Sequence, residues 1–222
     1  MSHVIVMAKE PVAGKVKTRL CPPCSGSSAA AVAAAALADT LDAVAACGAS
    51  RRVVALAGSP GDWLPPGFEI VRQRGDGLAS RLANAWSDVG GPGIQIGMDT
   101  PQVTGTELDS LLSIVDKPAA VGSAAVGPAV LGPARDGGWW VIGWHRADPH
   151  AVFTGIPMSE PTTGALQERR LRELGLDVVR APLRRDIDTI DDLAAVALAT
   201  PGSRTAEVAA RVLGLGSPAA LR

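Results

Sequence analysis

At 222 residues and a formal net charge of −1, the chain has no overall field that would hold nucleic acid or an anionic membrane, so any basic site must be local. Hydrophobic residues make up 47% and charged residues 19%, enough for a sizeable core and against global disorder. Three cysteines argue against a disulfide framework, and the expected organisation is one domain over residues 1–222 with a tail that frays from about 214.

The first element is the apolar run Val4 to Ala8, which does not alternate and therefore reads as a strand buried on both faces. A cationic loop follows. Ser25 to Ser28 can then cap a helix carrying Leu37, Leu41 and Val44 at helical spacing, with Gly48 at its end. Val53 to Ala57 and Phe68 to Val71 read as strands, Leu78 to Trp86 as an amphipathic helix, and Ile94 to Met98 as a strand that leaves Asp99 at its exit. Leu108 to Val115 gives another helix, followed by strand-like Ala119 to Ala125 and Ala129 to Leu131. Trp139 to Trp144 is rich in strand formers, Thr162 to Leu174 is helical, and Val178 to Ala181 is a short strand. Helices at Asp191 to Leu198 and Thr205 to Leu213 close the chain. The βαβα order of the first half implies a mainly parallel sheet with right-handed crossovers.

The opening apolar run is too short for a secretory signal, and Lys9 and Glu10 replace a small-residue cleavage site. Asp39 and Asp42 break the alanine-rich segment after Ser28 before it reaches the roughly 18 residues of a membrane span. No membrane span and a cytoplasmic location are expected. Cys21-Pro-Pro-Cys24 has the spacing of a zinc or redox pair, but no second pair lies nearby and its prolines read as a loop.

Ligands of open α/β sheets sit beyond the carboxyl ends of the strands, which singles out three stretches. In KEPVAGKVKTRL, Lys9 to Leu20, the cations Lys9, Lys15, Lys17 and Arg19 suit a diphosphate, and Gly14 lets the backbone bend close to a ligand. A solvated basic loop is the plainer alternative, and Walker A spacing is absent. In GMDTP, Gly97 to Pro101, Asp99 can serve a hard divalent cation such as Mg²⁺ or Mn²⁺, or simply cap the next helix or turn. In RDGGWWVIG, Arg135 to Gly143, Asp136 beside two indoles suits a sugar or another polar ring, or forms a plain hairpin with packing tryptophans. Alternation sends Trp139 and Trp140 to opposite faces, so one of them is core. A fourth group, Arg184 to Asp192, contains Thr189 and Asp192 as a variant capping box. Asp186 and Asp188 precede that helix and can reach a metal shared with Asp99, with Arg184 and Arg185 offsetting their repulsion.

Taken together, MAKEPVAGKVKTRL, GMDTP, DGGWWVIG and DIDTIDDL, in this order, resemble an uncharacterised bacterial family of GT-A-like nucleotide-diphospho-sugar transferases. In that family the blocks run approximately as KxPxxGxVKTRL, GxDxP, DGGYYLIGL and DVDTPEDL. The resemblance covers the chain to about residue 198 and extends distantly to molybdenum-cofactor and phospholactate guanylyltransferases. It implies a three-layer α/β/α sandwich with a mostly parallel sheet. It also implies that Lys17 and Arg19, with Gly14, contact nucleotide phosphates, and that Asp99, joined by Asp188, holds a divalent cation, Mg²⁺ or Mn²⁺. Asp136 and Asp188 match the family's other two acidic positions and become catalytic candidates, while Gly137, Gly138 and Trp139 become contacts for sugar or acceptor.

Two departures stand out. Trp139-Trp140 replaces the usual Tyr-Tyr, removing two hydroxyls and adding bulk, and there is no clear DxD motif of the kind many glycosyltransferases use for metal. The implied activity is sugar transfer from a nucleoside-diphosphate sugar to an acceptor. A nucleotidyltransferase releasing pyrophosphate is the alternative, although relatives of that kind commonly carry a GGxGxR loop where this chain has only Gly14. A non-catalytic nucleotide-binding module is a third reading, in which the acidic positions are structural.

Overall fold

A computed structural model describes residues 2–118 and 126–214 of the chain. The strand expected at Ala119 to Ala125 and the tail from about 214 lie largely outside the described residues. The sheet strands are β1 (His3–Lys9), β2 (Arg51–Ala57), β3 (Glu69–Arg72), β4 (Gly93–Gly97), β5 (Gly127–Pro133), β6 (Trp139–Trp144) and β7 (Leu176–Arg180). The helices are α1 (Gly26–Ala46), α2 (Gly77–Val89), α3 (Gly105–Val115), α4 (Pro149–Phe153), α5 (Thr163–Glu173), α6 (Ile190–Ala199) and α7 (Arg204–Val212).

The strands form one seven-stranded sheet in the order β3-β2-β1-β4-β6-β5-β7. β1 to β4 run parallel, β6 runs antiparallel to both β4 and β5, and β7 returns parallel to β5. This largely parallel sheet flanked by helices is a GT-A-like three-layer sandwich. The reversal of β6 has a direct effect on placement: its start, not its end, lies at the edge where β1 and β4 finish.

β1 shows why its sequence does not alternate. Val4, Val6 and Ala8 join α1 and α3 in the core on one face, while Ile5 joins Leu82, Trp86, Val152, Phe153 and Leu171 from α2, α4 and α5 on the other. Both faces are covered, so both sets of side chains are apolar. Trp140 belongs to the first core and Trp139 packs against the second, so adjacent indoles point to opposite faces as alternation requires.

By length and composition α1 is apolar enough to cross a membrane, with a mean hydropathy of 1.6, against the expectation that two aspartates would interrupt it. Its setting accounts for that composition. One side packs Leu37, Leu41 and Val44 on the sheet, while Ala29, Val32 and Ala36 meet Leu193 and Val196 of α6 and Ala209 of α7. Asp39 is not a solvated interruption either, because it accepts hydrogen bonds from the backbone N–H and the hydroxyl of Thr205 at 2.8 and 2.7 Å. A helix sandwiched on two sides is apolar on two sides.

The helix starts follow the sequence. Ser25, Thr104 and Ser203 cap α1, α3 and α7 through their side chains, and Thr189 with Asp192 forms the reciprocal capping box of α6. The five-residue α4 was not expected, being too short for any periodicity to emerge; it is set by the Asp148 cap and Pro149 at its first turn.

Candidate functional site

The site is assembled at the carboxyl edge of the sheet by four loops. The loop after β1 is anchored by two apolar residues: Val16 is buried against Ala30 and Ala33 of α1, and Leu20 lies in the α1–α6 core. Between these anchors Lys17 takes a left-handed backbone (φ 48°, ψ 37°), and its side chain is left only 10% exposed. Arg19, two residues on, remains largely solvated.

The loop after β4 carries Asp99, whose carboxylate folds back over Gly97. A Cβ at Gly97 would lie 2.8 Å from Asp99 Oδ1, so a larger residue here would push the carboxylate out of this position. The third loop, Arg184 to Thr189, is tied in from both sides. Arg184 N–H donates to Pro133 O at 3.1 Å, and the side-chain amide of Gln102, beyond Asp99, donates to Arg185 O at 2.7 Å. These bonds bring Asp186 and Asp188 to Asp99, so that one oxygen from each of the three carboxylates lies within 4.8 Å of the others.

Cations interleave with these acids. Lys17 Nζ donates to Asp99 Oδ2 at 2.6 Å and to Asp188 Oδ1 at 3.4 Å, and Arg19 Nη1 donates to Asp188 Oδ2 at 2.7 Å. Arg184 and Arg185, expected to offset the aspartates, are engaged elsewhere: Arg184 pairs with Glu107 of α3 and Arg185 with Asp192 of α6. Each guanidinium is drawn instead to a carboxylate on a neighbouring helix, at 2.7 Å for Arg184 with Glu107 and 3.0 Å for Arg185 with Asp192.

Burial alone would lower the Lys17 pKa, yet the charge and hydrogen bond of Asp99, with Asp188 and Asp186 behind it, hold the ammonium above the ordinary lysine value. For Asp186 a shift in the same direction disfavours the charged form. Burial, then the charges of Asp99, Asp136 and Asp188, raise its carboxyl to about 7.

The fourth loop is Asp136-Gly-Gly138, leading into β6. Gly138 N–H donates to Asp136 Oδ1 at 2.8 Å, holding the exposed carboxylate in place. Gly137 has φ 90°, and a Cβ there would lie 2.0 Å from Pro161 O, while Gly164 N–H donates to Gly137 O at 2.8 Å. The turn is thus clamped against the start of α5.

These loops surround a cleft of about 550 Å³ whose lining includes Lys17, Arg19, Asp99, Asp136, Gly138, Trp139, Trp140, Asp186 and Asp188. Lys9 and Lys15 line it as well, both of them exposed. Gly14 (φ 74°) and Gly137 lie outside the lining and shape the backbone behind it. Trp140 donates its indole N–H to Pro182 O at 2.8 Å and is 2% exposed, which leaves Trp139 as the more available ring.

Sequence reasoning missed Gln73, Arg81, Met158 and Ser159 on the cleft wall. The Gln73 amide donates to Ala8 O and Ala55 O, closing the gap where β1 and β2 end. Among the described residues, Lys17 and Ser159 are the two non-glycine residues with left-handed backbone, and both line the cleft. Such conformations cost about 1–3 kcal/mol and collect at ligand sites.

Oxygens bound to one Mg²⁺ are at most roughly 4.2 Å apart, twice its metal–oxygen distance, so the three-carboxylate cluster fits a hard divalent cation with little closure. The donor set also fits, being all oxygen.

A family model described as "Uncharacterized protein conserved in bacteria (DUF2064)" matches residues 30–160. The chain belongs to this family. The matched span includes Asp99 and Asp136; Lys17, Arg19, Asp186 and Asp188 flank it. No curated protein sequence matches the chain. Among solved structures, the chain is similar to a "putative nucleotide-diphospho-sugar transferase" from Desulfovibrio desulfuricans G20, at 25% identity and a TM-score of 0.82 over 97% of each chain. It shares its fold with Rv0371c from Mycobacterium tuberculosis H37Rv, at 18% identity and a TM-score of 0.51, over 87% of this chain and 96% of that one. It likewise shares its fold with a CMP:2-keto-3-deoxy-manno-octonic acid synthetase complexed with CTP, at 15% identity and a TM-score of 0.51, over 89% and 98%. The fold, together with a candidate metal-binding cluster, supports a transferase-like enzyme of the GT-A and nucleotidyltransferase superfamily.

Proposed function

We propose that the protein is a metal-dependent transferase that takes a nucleoside-diphosphate sugar and passes the sugar to an acceptor. The observation that carries this reading is the convergence of Lys17 and Arg19 with Asp99, Asp186 and Asp188 in one cleft that continues to Asp136 and Trp139. The name borne by the Desulfovibrio desulfuricans structure, similar over nearly the full length, supports the same substrate class.

In this reading Asp99 and Asp188, with Asp186, hold Mg²⁺ or Mn²⁺, which supplies positive charge against the departing diphosphate. Lys17 and Arg19 bind the phosphate oxygens and stabilise the negative charge that grows there as the sugar leaves. Asp136, fixed through one oxygen by Gly138 N–H, has its second oxygen free among the described residues to orient a sugar or acceptor hydroxyl or to accept its proton. The ring of Trp139 offers a face for a sugar.

Isothermal titration of UDP-, GDP- and dTDP-sugars, with and without Mn²⁺, tests the proposal. At least one donor should bind with metal dependence, and Asp99→Ala should weaken that binding by about tenfold or more, the loss of a charged partner. Absence of nucleotide binding under all conditions would sink the reading. Release of pyrophosphate from an NTP without any sugar donor would replace sugar transfer with nucleotidyl transfer.

A further inference from the structure

The position of Lys17 raises a conflict that the proposed function leaves open. Its ammonium nitrogen lies 2.6 Å from Asp99 and 3.4 Å from Asp188, two of the carboxylates assigned to the divalent cation. It therefore occupies the space between them that a bridging cation would take. A divalent ion at metal–oxygen distance from both would sit within a few ångströms of a desolvated ammonium, and like charges that close in a buried site repel strongly.

Lys17 also has a restricted set of partners. Asp99 and Asp188 are the acceptors its ammonium has among the described residues, and nine-tenths of its side chain is buried. Its left-handed backbone, held between the buried anchors Val16 and Leu20, limits how far the side chain can retreat. Released from the carboxylates, the ammonium needs another anion within reach, and the cleft it lines is the space available.

We infer that Lys17 is a resident counter-ion of the acidic cluster that is exchanged when the divalent cation binds, and that the freed ammonium is then taken up by the diphosphate of the substrate. Metal and nucleotide binding become linked by this exchange. Metal alone strands a buried ammonium, whereas metal with a diphosphate pairs every charge. The diphosphate half of the inference rests on the function proposed above; the exchange itself rests only on the three carboxylates and Lys17.

Two measurements test it. In the first, wild-type protein is treated with an amine-acetylating reagent and Lys17 modification is read by peptide mass spectrometry. Modification should be low without additions, rise about tenfold with saturating Mg²⁺, and fall again with Mg²⁺ plus the nucleoside diphosphate. In the second, free Mn²⁺ is followed by electron paramagnetic resonance for wild type and Lys17→Met. Lys17→Met should bind Mn²⁺ alone about tenfold more tightly, and the nucleoside diphosphate should enhance Mn²⁺ binding less than in wild type.

Metal binding that leaves Lys17 acetylation unchanged would overturn the exchange while leaving the proposed function standing. So would Mn²⁺ affinity that is equal or weaker in Lys17→Met. High acetylation with Mg²⁺ that no nucleoside diphosphate reverses would support the exchange and count against the nucleotide reading. Failure of both proteins to bind either metal would overturn both.

Discussion

The two ends of β1 differ as sharply as any two regions of the molecule. At its start, His3 is buried with its ring T-shaped against Trp86 at a centroid distance of 5.0 Å, Trp86 stacks on Trp144 at 3.6 Å, and the histidine Nε2 has no hydrogen-bond partner among the described residues. Just past its end, Lys17 and three aspartates are crowded into one cleft. The first end buries neutral rings and fills space, which is how a fold gains stability. The second concentrates three carboxylates that repel one another, an arrangement with a stability cost and one that recurs at functional sites.

The largest expected effect breaks the first end alone. Trp86→Ala removes the ring between His3 and Trp144 and should cost about 3–5 kcal/mol in urea unfolding. Nucleotide and Mn²⁺ affinities, measured per folded molecule at low temperature, should stay within about twofold if the two ends are independent.

A pH series separates the ends by sign. Burial, then the charge of Arg51, lowers the His3 pKa from 6.5 to about 4. Between those values the unfolded chain binds the extra proton and the folded one does not, so this group makes stability fall as pH drops from 6.5 towards 4, by up to about 3 kcal/mol. Asp186, raised from 3.8 to about 7, acts oppositely: the folded state holds its proton longer, and stability is lost as pH rises through that interval. The difference between wild type and His3→Leu across urea midpoints from pH 4.5 to 7.5 isolates the histidine. A flat difference would remove the contrast.

Asp186→Asn tests the second end. Removing the ionisable group should raise stability by about 1–3 kcal/mol at pH 8, with the gain shrinking as pH falls from 7 towards 3.8, where the unfolded chain also takes up the proton. Mn²⁺ affinity should fall by about tenfold in the same protein, so stability and binding move in opposite directions. The smallest effect is expected at the exposed pair of Arg51 with Glu69, 2.8 Å apart beside the first end. Glu69→Gln should cost less than about 1 kcal/mol in urea unfolding and vanish at high salt.

Much of the framework was legible because it depends on local rules. Val4 to Ala8 and Val53 to Ala57 declare strands covered on both faces, Thr189 with Asp192 declares a helix start, and Trp139-Trp140 declares opposite faces. Asp99, Asp136 and Asp188 emerge from motif spacing, and the structure brings them to one cleft. What stayed hidden depends on pairing across the chain. Gln73 acquires its place only when β1 and β2 end side by side beneath its amide. Ser159 does so only when the chain before α5 turns back over the Asp136 loop. Likewise, two arginines adjacent to the acids in sequence serve Glu107 and Asp192, while the cations that meet the acids come from a loop 169 and 171 positions away from Asp188.

The reversed strand β6 gives the molecule a division of labour. Because it enters the sheet where its neighbours leave, the Asp136–Trp139 turn stands opposite the loops after β1 and β4, yet it hangs from a hairpin and the start of α5. A lineage could therefore rewrite one wall of the cleft, as the paired tryptophans here suggest, without disturbing the strand ends that set the other. Exchange of that hairpin between family members is the natural unit for altering what the protein accepts.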